Sequence, residues 1–226
     1  MDFLSLLFPK KCIGCRRIGS YICSTCFAFI DSSPQLICAE CSKFAVNGLT
    51  HPVCRKKYSI DGVYSAVAYK GIMKKILYQY KFEPYVFDLS RTLSEIVYEG
   101  LLEYEPLSYL SKEKVVLVPI PLSEKKKKTR GYNQSLLLVK NLSELSGYTY
   151  SDILIRQKKT LPQYALSKEK RRENIKGAFA LQDVSYFENV LLVDDIMTSG
   201  ATLSEASYVL KKAGVKKVFG VTVAHG

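Results

Sequence analysis

The chain has 226 residues, 47% of them hydrophobic, and a mean hydropathy near zero, which predicts one large globular domain with room for a second small one. No run of eighteen or more apolar residues is present, so the sequence predicts no membrane-spanning helix. The formal net charge of +12 favours acidic partners such as nucleic acid, polyphosphates or an anionic membrane surface, although exposed lysines also serve solubility alone.

The first 55 residues contain all seven cysteines. The short apolar opening MDFLSLLFP contains an acidic residue and no small-residue cleavage site follows it, so we do not interpret it as a signal peptide. We therefore expect a cytoplasmic protein. In a reducing compartment, paired cysteines indicate metal binding rather than disulfides.

Four pairs of ligand-type residues with two-residue gaps follow one another as CIGC, CSTC, CAEC and HPVC. Pairing of sequence neighbours predicts two tetrahedral zinc sites, although a cross-braced pairing would also satisfy the spacing. Both sites would be fully ligated and structural, because so short a module cannot close a large core; redox chemistry at the cysteine pairs is the alternative. The predicted ligands are Cys12, Cys15, Cys23 and Cys26 for the first site, and Cys38, Cys41, His51 and Cys54 for the second.

After a basic linker, strands and helices alternate to the end of the chain. The alternation predicts an α/β fold with a doubly wound, mainly parallel sheet and helices on both faces. We assign residues 1–57 to the zinc module and 58–226 to this sheet domain. The predicted strands are 62–70, 114–121, 152–157, 189–195 and 216–225, and the predicted helices are 71–82, 86–102, 132–147, 167–175 and 201–214.

The segment VLLVDDIMTSGAT places Asp194 and Asp195 at the end of a buried strand. Ligands of open parallel sheets bind beyond the carboxyl ends of the strands. The carboxylates can accept hydrogen bonds from sugar hydroxyls, and residues 198–202 form a strand-to-helix turn whose N–H groups attract an anion. A ribose 5′-phosphate satisfies both halves. A P-loop is excluded because its glycine-rich motif is missing, and helix capping alone does not explain two adjacent carboxylates.

The same segment resembles the phosphoribosyl-pyrophosphate (PRPP) motif of type I phosphoribosyltransferases. The resemblance implies that Asp194 and Asp195 bind the ribose hydroxyls of PRPP, which is bound with Mg²⁺. It also implies that the following turn holds the 5′-phosphate. That turn consists of Thr198, Ser199, Gly200, Ala201 and Thr202.

Further segments are similar to the ComF competence family, across essentially the whole chain and in the expected order. They are the cysteine-rich start, YKGIMKKILYQYKF, LVPIPLSEKKKKTRGYNQS and KKTLPQYALSKEKRRENIKGAF; the last matches at Thr160, Gln163, Leu166, Arg171, Asn174, Gly177, Ala178 and Phe179. His51 departs from the family's cysteine, which zinc tolerates. The resemblance implies a double zinc ribbon, a phosphoribosyltransferase fold and a role in bringing single-stranded DNA across the inner membrane, where other DNA-uptake proteins would be partners.

The basic segment 124–130 follows the strand that ends near Pro121, and we expect a loop at the same edge of the sheet. In the wider transferase family this region binds pyrophosphate. Arg130, with Lys127 and Lys128, would supply positive charge. The lysines 125–128 could instead be solvated or contact nucleic-acid phosphates. Asn133 and Gln134 open the next helix, as caps or as ligand contacts.

Two functions remain open. One is a ComF-like DNA-uptake protein that binds PRPP and single-stranded DNA, with some of the sixteen tyrosines stacking on bases while the others pack. The other is a phosphoribosyltransferase of nucleotide metabolism, similar to amidophosphoribosyltransferases, without a DNA role. The acceptor of a transfer reaction is not identified, because Ile196 and Met197 offer no base, His51 is assigned to zinc and His225 lies at the tail.

Overall fold

A computed structural model describes residues 9–82, 86–108, 115–158, 160, 167–182 and 187–226, with the side chains of Ser108, Lys125 and Lys168 left out. The opening nonpolar segment up to residue 8, and the motif positions Gln163 and Leu166, lie outside the described residues. The helices are α1 (Ser24–Phe27), α2 (Gly71–Lys81), α3 (Leu89–Leu102), α4 (Glu105–Ser108), α5 (Glu124–Arg130), α6 (Gln134–Ser146), α7 (Lys168–Ile175) and α8 (Ala201–Lys212). The strands are β1 (Gly62–Ala68), β2 (Val115–Pro119), β3 (Thr149–Tyr150), β4 (Leu154–Arg156), β5 (Phe179–Leu181), β6 (Asn189–Met197) and β7 (Lys217–His225).

The main sheet has five strands in the order β1-β7-β6-β2-β3, and every neighbouring pair is parallel. Helices flank it, so the predicted α/β class is confirmed. The central strand β6 reads as a continuous apolar run because both of its faces are buried. Leu191 and Val193 face the core that contains residues of α2, α3 and α6, whereas Val190 and Leu192 face the core beneath α8.

Three local features differ from the sequence prediction. Strand β4 pairs antiparallel with β5 in a separate two-stranded sheet, and β6 continues to Met197, opposite His225 of β7. The prediction of a basic loop at residues 124–130 is wrong, because these residues form helix α5. The reason is local: Ser123 caps the amino end, and Gly131 ends the helix in a left-handed conformation with φ of 74°.

The cysteine-rich module lies along the edge strand β1. The Gln35 N–H donates to the Ser65 carbonyl at 2.9 Å, and the Ala68 N–H donates to the Asp31 carbonyl at 3.2 Å. Ile13 of this module packs against one core of the sheet domain and Ala39 is part of the other. The module therefore contacts both faces of the sheet. The boundary at residue 57 stays a prediction.

Candidate functional site

The eight predicted zinc ligands form two groups in the predicted pairing. Within each group the ligand atoms lie within 4.8 Å of one another: Cys12, Cys15, Cys23 and Cys26 in one, and Cys38, Cys41, His51 and Cys54 in the other. Two sulfurs on a tetrahedral zinc, each bonded at about 2.3 Å, are about 3.8 Å apart. The Sγ atoms of Cys15 and Cys23 are 3.6 Å apart, so the first group fits zinc.

The second group fits zinc through the orientation of its histidine. His51 Nε2 lies 2.9 Å from the Phe44 carbonyl oxygen, which can only accept, so Nε2 carries the proton. His51 Nδ1 is then unprotonated and offers its lone pair to a metal, and it lies 3.4 Å from Cys41 Sγ. A ligating histidine that donates its other N–H to a carbonyl is the usual arrangement around protein-bound zinc. Both groups could therefore hold zinc.

The two cysteine hairpins repeat the same backbone geometry. We name residues 11–18 the first knuckle and residues 37–44 the second; each is closed by an antiparallel bridge. In the first, the Arg16 N–H donates to the Cys12 carbonyl at 2.8 Å, and in the second the Ser42 N–H donates to the Cys38 carbonyl at 2.8 Å. Arg16 and Ser42 both have left-handed φ angles, 67° and 60°. Metal ligation would thus hold Arg16 in a conformation that a non-glycine residue rarely adopts.

Asp194 and Asp195 lie in the last part of β6, at the carboxyl edge of the sheet, as predicted. Asp195 is buried, and its Oδ1 lies 2.8 Å from Lys81 Nζ at the end of α2. Asp194 Oδ1 accepts hydrogen bonds from Ser135 Oγ and from the Asp195 N–H, both at 2.9 Å. Burial, and then the charge of Asp195, raise the pKa of Asp194. Lys81 therefore neutralises part of the negative charge of the two carboxylates.

Four cations from three elements lie at or near this pair. Lys81 comes from α2, Lys126 and Arg130 from α5, and Arg156 from β4. Desolvation, followed by repulsion from Arg130, Arg156 and Lys81, lowers the pKa of Lys126. Desolvation also lowers the pKa of Arg156, and the charge of Asp194 opposes that shift. Mutually repelling cations around two carboxylates can complement a ligand that carries both hydroxyl groups and negative charge.

The predicted phosphate turn directly follows β6. Gly200 is the amino-terminal cap of α8 and provides no side-chain hydrogen bond to the first helical turn, and helix starts of this kind attract anions. Ala201 and Thr202 are the first helical residues. Ser199 is buried, and the backbone at Thr198 hydrogen-bonds with His225, whose pKa is lowered by burial. His225 therefore lies at the same edge of the sheet.

Gly200 has a second role that the sequence did not indicate. Its φ is +71°, and a Cβ at this position would lie 2.6 Å from the Ala39 carbonyl oxygen in the second knuckle. Arg172 of α7 holds that knuckle from another side, since its Nη2 donates to the carbonyl oxygens of Ala39, at 3.1 Å, and Glu40. The second knuckle is thus packed directly against the predicted phosphate turn.

The other predicted residues have separate places. Lys127 and Lys128 are exposed on α5, and Arg130 stacks on Phe82 with its guanidinium carbon 5.1 Å from the ring centroid. Asn133 is the amino-terminal cap of α6, accepting from the Ser135 N–H at 3.2 Å. Gln134 is buried, and neither of its amide atoms has a hydrogen-bond partner among the described residues.

Sequence reasoning assigned no role at this site to Lys81 or Arg156. Lys81 is the last lysine of the YKGIMKKILYQYKF segment, so the family resemblance contained a signal, but nothing local connects residue 81 with residue 195. Arg156 was part of a predicted strand. Its role depends on how β4 lies beside the main sheet, which periodicity does not reveal.

The fold and the ligand groups define an α/β protein with an open parallel sheet and an amino-terminal module that could hold zinc. Competence protein F of Haemophilus influenzae is 30% identical over 93% of this chain and 95% of that protein. The chain therefore belongs to the ComF family. Competence protein ComFC of Bacillus subtilis is 29% identical over 93% of the chain and 82% of that relative. The DNA utilization protein YhgH of Escherichia coli K12 is 27% identical over 94% and 96%. No family model matches the chain.

Proposed function

We propose that the chain binds PRPP with Mg²⁺ at the carboxyl edge of its sheet and binds single-stranded DNA, acting in DNA uptake during natural competence. The observation that carries the PRPP assignment is the pair Asp194 and Asp195 with cations around it and the start of helix α8 beside it. The relatives named competence protein and DNA utilization protein support the DNA role. Among the described residues, no helix is long and apolar enough to cross a membrane. We infer a place on the cytoplasmic side, peripheral to the inner membrane and beside other uptake proteins.

Each part of PRPP has a candidate contact in this arrangement. The ribose hydroxyls would donate to Asp194 and Asp195, and the 5′-phosphate would accept from the turn 198–202. The pyrophosphate would lie among Lys81, Lys126 and Arg130, with Lys127 and Lys128 further along α5. Mg²⁺, when bound with PRPP, would neutralise part of the diphosphate charge. The zinc ions would hold the amino-terminal module folded.

The test of the PRPP site is calorimetry with Mg²⁺ and PRPP on Asp194→Asn/Asp195→Asn. We expect at least a roughly tenfold loss of affinity, because two charged acceptors become neutral amides. The matched control Glu99→Gln/Glu103→Gln, on exposed positions near the end of α3, also neutralises two carboxylates and tests whether net charge alone changes affinity. Unchanged affinity in a well-folded double variant would show that the site assignment is wrong.

Whether PRPP is turned over is a separate question. A pyrophosphate-release assay across bases, ammonia and other amines, with and without single-stranded DNA, addresses it. Pyrophosphate release that requires DNA would show that PRPP turnover and DNA binding are coupled. Release with a base or an amine, unaffected by DNA and without DNA binding, would favour the nucleotide-metabolism alternative.

A further inference from the structure

A cleft of about 380 Å³ lies between the first knuckle and helix α2, away from the paired aspartates. Its volume is within the range of small-ligand sites. The lining combines cations and tyrosine rings and, among the described residues, contains no carboxylate. The lining residues are Ile13, Arg16, Tyr69, Lys74, Lys75, Tyr78 and Gln79.

The cations of this cleft are available to a ligand. Arg16, Lys74 and Lys75 are exposed, and in the described part of the chain no acidic side chain forms an ion pair with any of them. Lys74 Nζ instead lies 5.8 Å from the centroid of the Tyr69 ring. Tyr78 is 60% exposed, which leaves much of its ring accessible.

The two walls of the cleft are joined by close packing, because the first knuckle is docked on α2. A Cβ on Gly14 would lie 2.5 Å from Ile72 Cδ1 and 2.7 Å from Cys26 Sγ, so only glycine permits this approach. Arg16 projects from the same knuckle in its left-handed conformation. The metal-binding hairpin thus fixes one wall and the helix fixes the other.

An aromatic and basic track leads from the cleft toward the paired aspartates. Tyr78 and Phe82 are one helical turn apart, with ring centroids separated by 4.8 Å, and Arg130 stacks on Phe82. Lys81, between these rings in sequence, contacts Asp195. The track therefore runs from the first knuckle to the proposed PRPP site.

We propose that this cleft and track bind single-stranded nucleic acid, with Arg16, Lys74 and Lys75 contacting phosphates and Tyr78 stacking on a base. Alternating cations and exposed aromatic rings are what an unpaired strand requires, since paired bases offer no free face for stacking. A concave cleft with tyrosine rings fits a strand better than the flat surface of a bilayer. This inference rests on the proposed DNA role and gives it a location distinct from helix α5.

The test is fluorescence anisotropy of a labelled oligothymidylate against the zinc-loaded full chain over a range of salt concentrations. Arg16→Gln/Lys74→Gln/Lys75→Gln should flatten the slope of log affinity against log salt by up to roughly 2.1, at about 0.7 for each phosphate contact. Tyr78→Ala should weaken binding roughly five- to hundredfold, and Tyr78→Phe should restore it. The charge-matched control Lys140→Gln/Lys212→Gln/Lys217→Gln, on exposed positions elsewhere, should keep the wild-type slope. PRPP affinity should be unchanged in all of these variants.

Several results would overturn the proposal. If the wild type binds the strand and the cleft variants keep its affinity and slope, the cleft is not the site; loss in Lys127→Gln/Lys128→Gln would then assign the strand to α5. If the wild type binds no strand, the DNA part of the proposed function itself fails. Binding to phosphatidylglycerol vesicles that is lost in the cleft variants, without strand binding, would assign the cleft to a membrane surface.

Discussion

At the scale of single residues, Asp194 and Asp195 are neighbours with different environments. Asp195 has a direct cationic partner in Lys81, whereas Asp194 has hydrogen bonds but no ion pair among the described residues. Burial and the charge of the neighbouring Asp195 raise the pKa of Asp194 to about 6. Without a ligand, an ionised Asp194 costs stability.

This difference predicts that Asp194→Asn stabilises the ligand-free protein at neutral pH. Folding raises the pKa of this carboxyl, so its ionisation destabilises the fold once the pH exceeds the unfolded pKa of about 4. The destabilisation reaches its full size once the pH exceeds the folded pKa of about 6. Asparagine can still accept from Ser135, so the gain should be about 1–3 kcal/mol at pH 7.5 and should shrink toward pH 5.5. Thermal unfolding at several pH values measures it.

The comparison for this prediction is Asp195→Asn, which relieves the repulsion on Asp194 but removes the partner of Lys81, so its gain should be smaller. A lower melting temperature of Asp194→Asn at pH 7.5 would contradict the electrostatic account. It would mean that the ionised carboxylate has a stabilising partner beyond the contacts described above.

At the scale of secondary-structure elements, the turn before α8 combines a proposed phosphate contact with an observed packing contact. The turn 198–202 starts a helix that can bind an anion, and Gly200 in the same turn admits the backbone of the second knuckle. Arg172 of α7 holds that knuckle in place. Any movement of the knuckle is therefore expected to move the phosphate turn.

Gly200→Ala tests this shared turn. The matched control is Gly147→Ala, because Gly147 has a similar φ of +76° but open space where a Cβ would lie. Both variants lose roughly 1–2 kcal/mol from the left-handed backbone conformation. Only Gly200→Ala meets the Ala39 carbonyl, so it should lose more stability and bind PRPP at least roughly tenfold more weakly, measured by unfolding and calorimetry. Equal effects of the two variants on PRPP affinity would contradict the shared role.

At the scale of the whole molecule, the zinc module contacts both cores of the sheet domain. The first knuckle packs on α2 and forms one wall of the cleft, while the second packs against the phosphate turn. Small modules of this kind depend on metal for their folding free energy. Each knuckle is therefore coupled to a different proposed binding site.

We expect elemental analysis of metal-replete protein to give two zinc ions per chain. Chelation should weaken both PRPP and single-strand binding, yet circular dichroism should retain most of the sheet-domain signal, because the parallel sheet has its own cores. Cys23→Ser should weaken strand binding more than PRPP binding, and Cys54→Ser should do the reverse. A zinc ratio near one would show that one ligand group does not bind metal, and near zero that the cysteines have another role.

Much of this architecture follows from local sequence. The ligand pairs lie close together along the chain, so spacing predicted two ligand groups and favoured the pairing of sequence neighbours; the structure then showed this pairing rather than the cross-braced one. The apolar run before Asp194 predicted a strand buried on both faces, and with it the edge at which the carboxylates lie. These features could be predicted because each depends on residues that lie close together along the chain.

The tertiary structure decided what depends on distant segments. Lys81 meets Asp195 across more than a hundred residues, and Ala39 meets Gly200 across still more, so no periodicity or spacing could reveal either contact. Helix α5 was mistaken for a loop because four consecutive lysines indicate a solvated segment, whereas Ser123 and Gly131 bound a short helix. Sequence determined which residues are candidates to bind metal and phosphate. Packing of the knuckles and of β4 against the sheet decided which of them meet, because such contacts arise from burial of surfaces that are far apart along the chain.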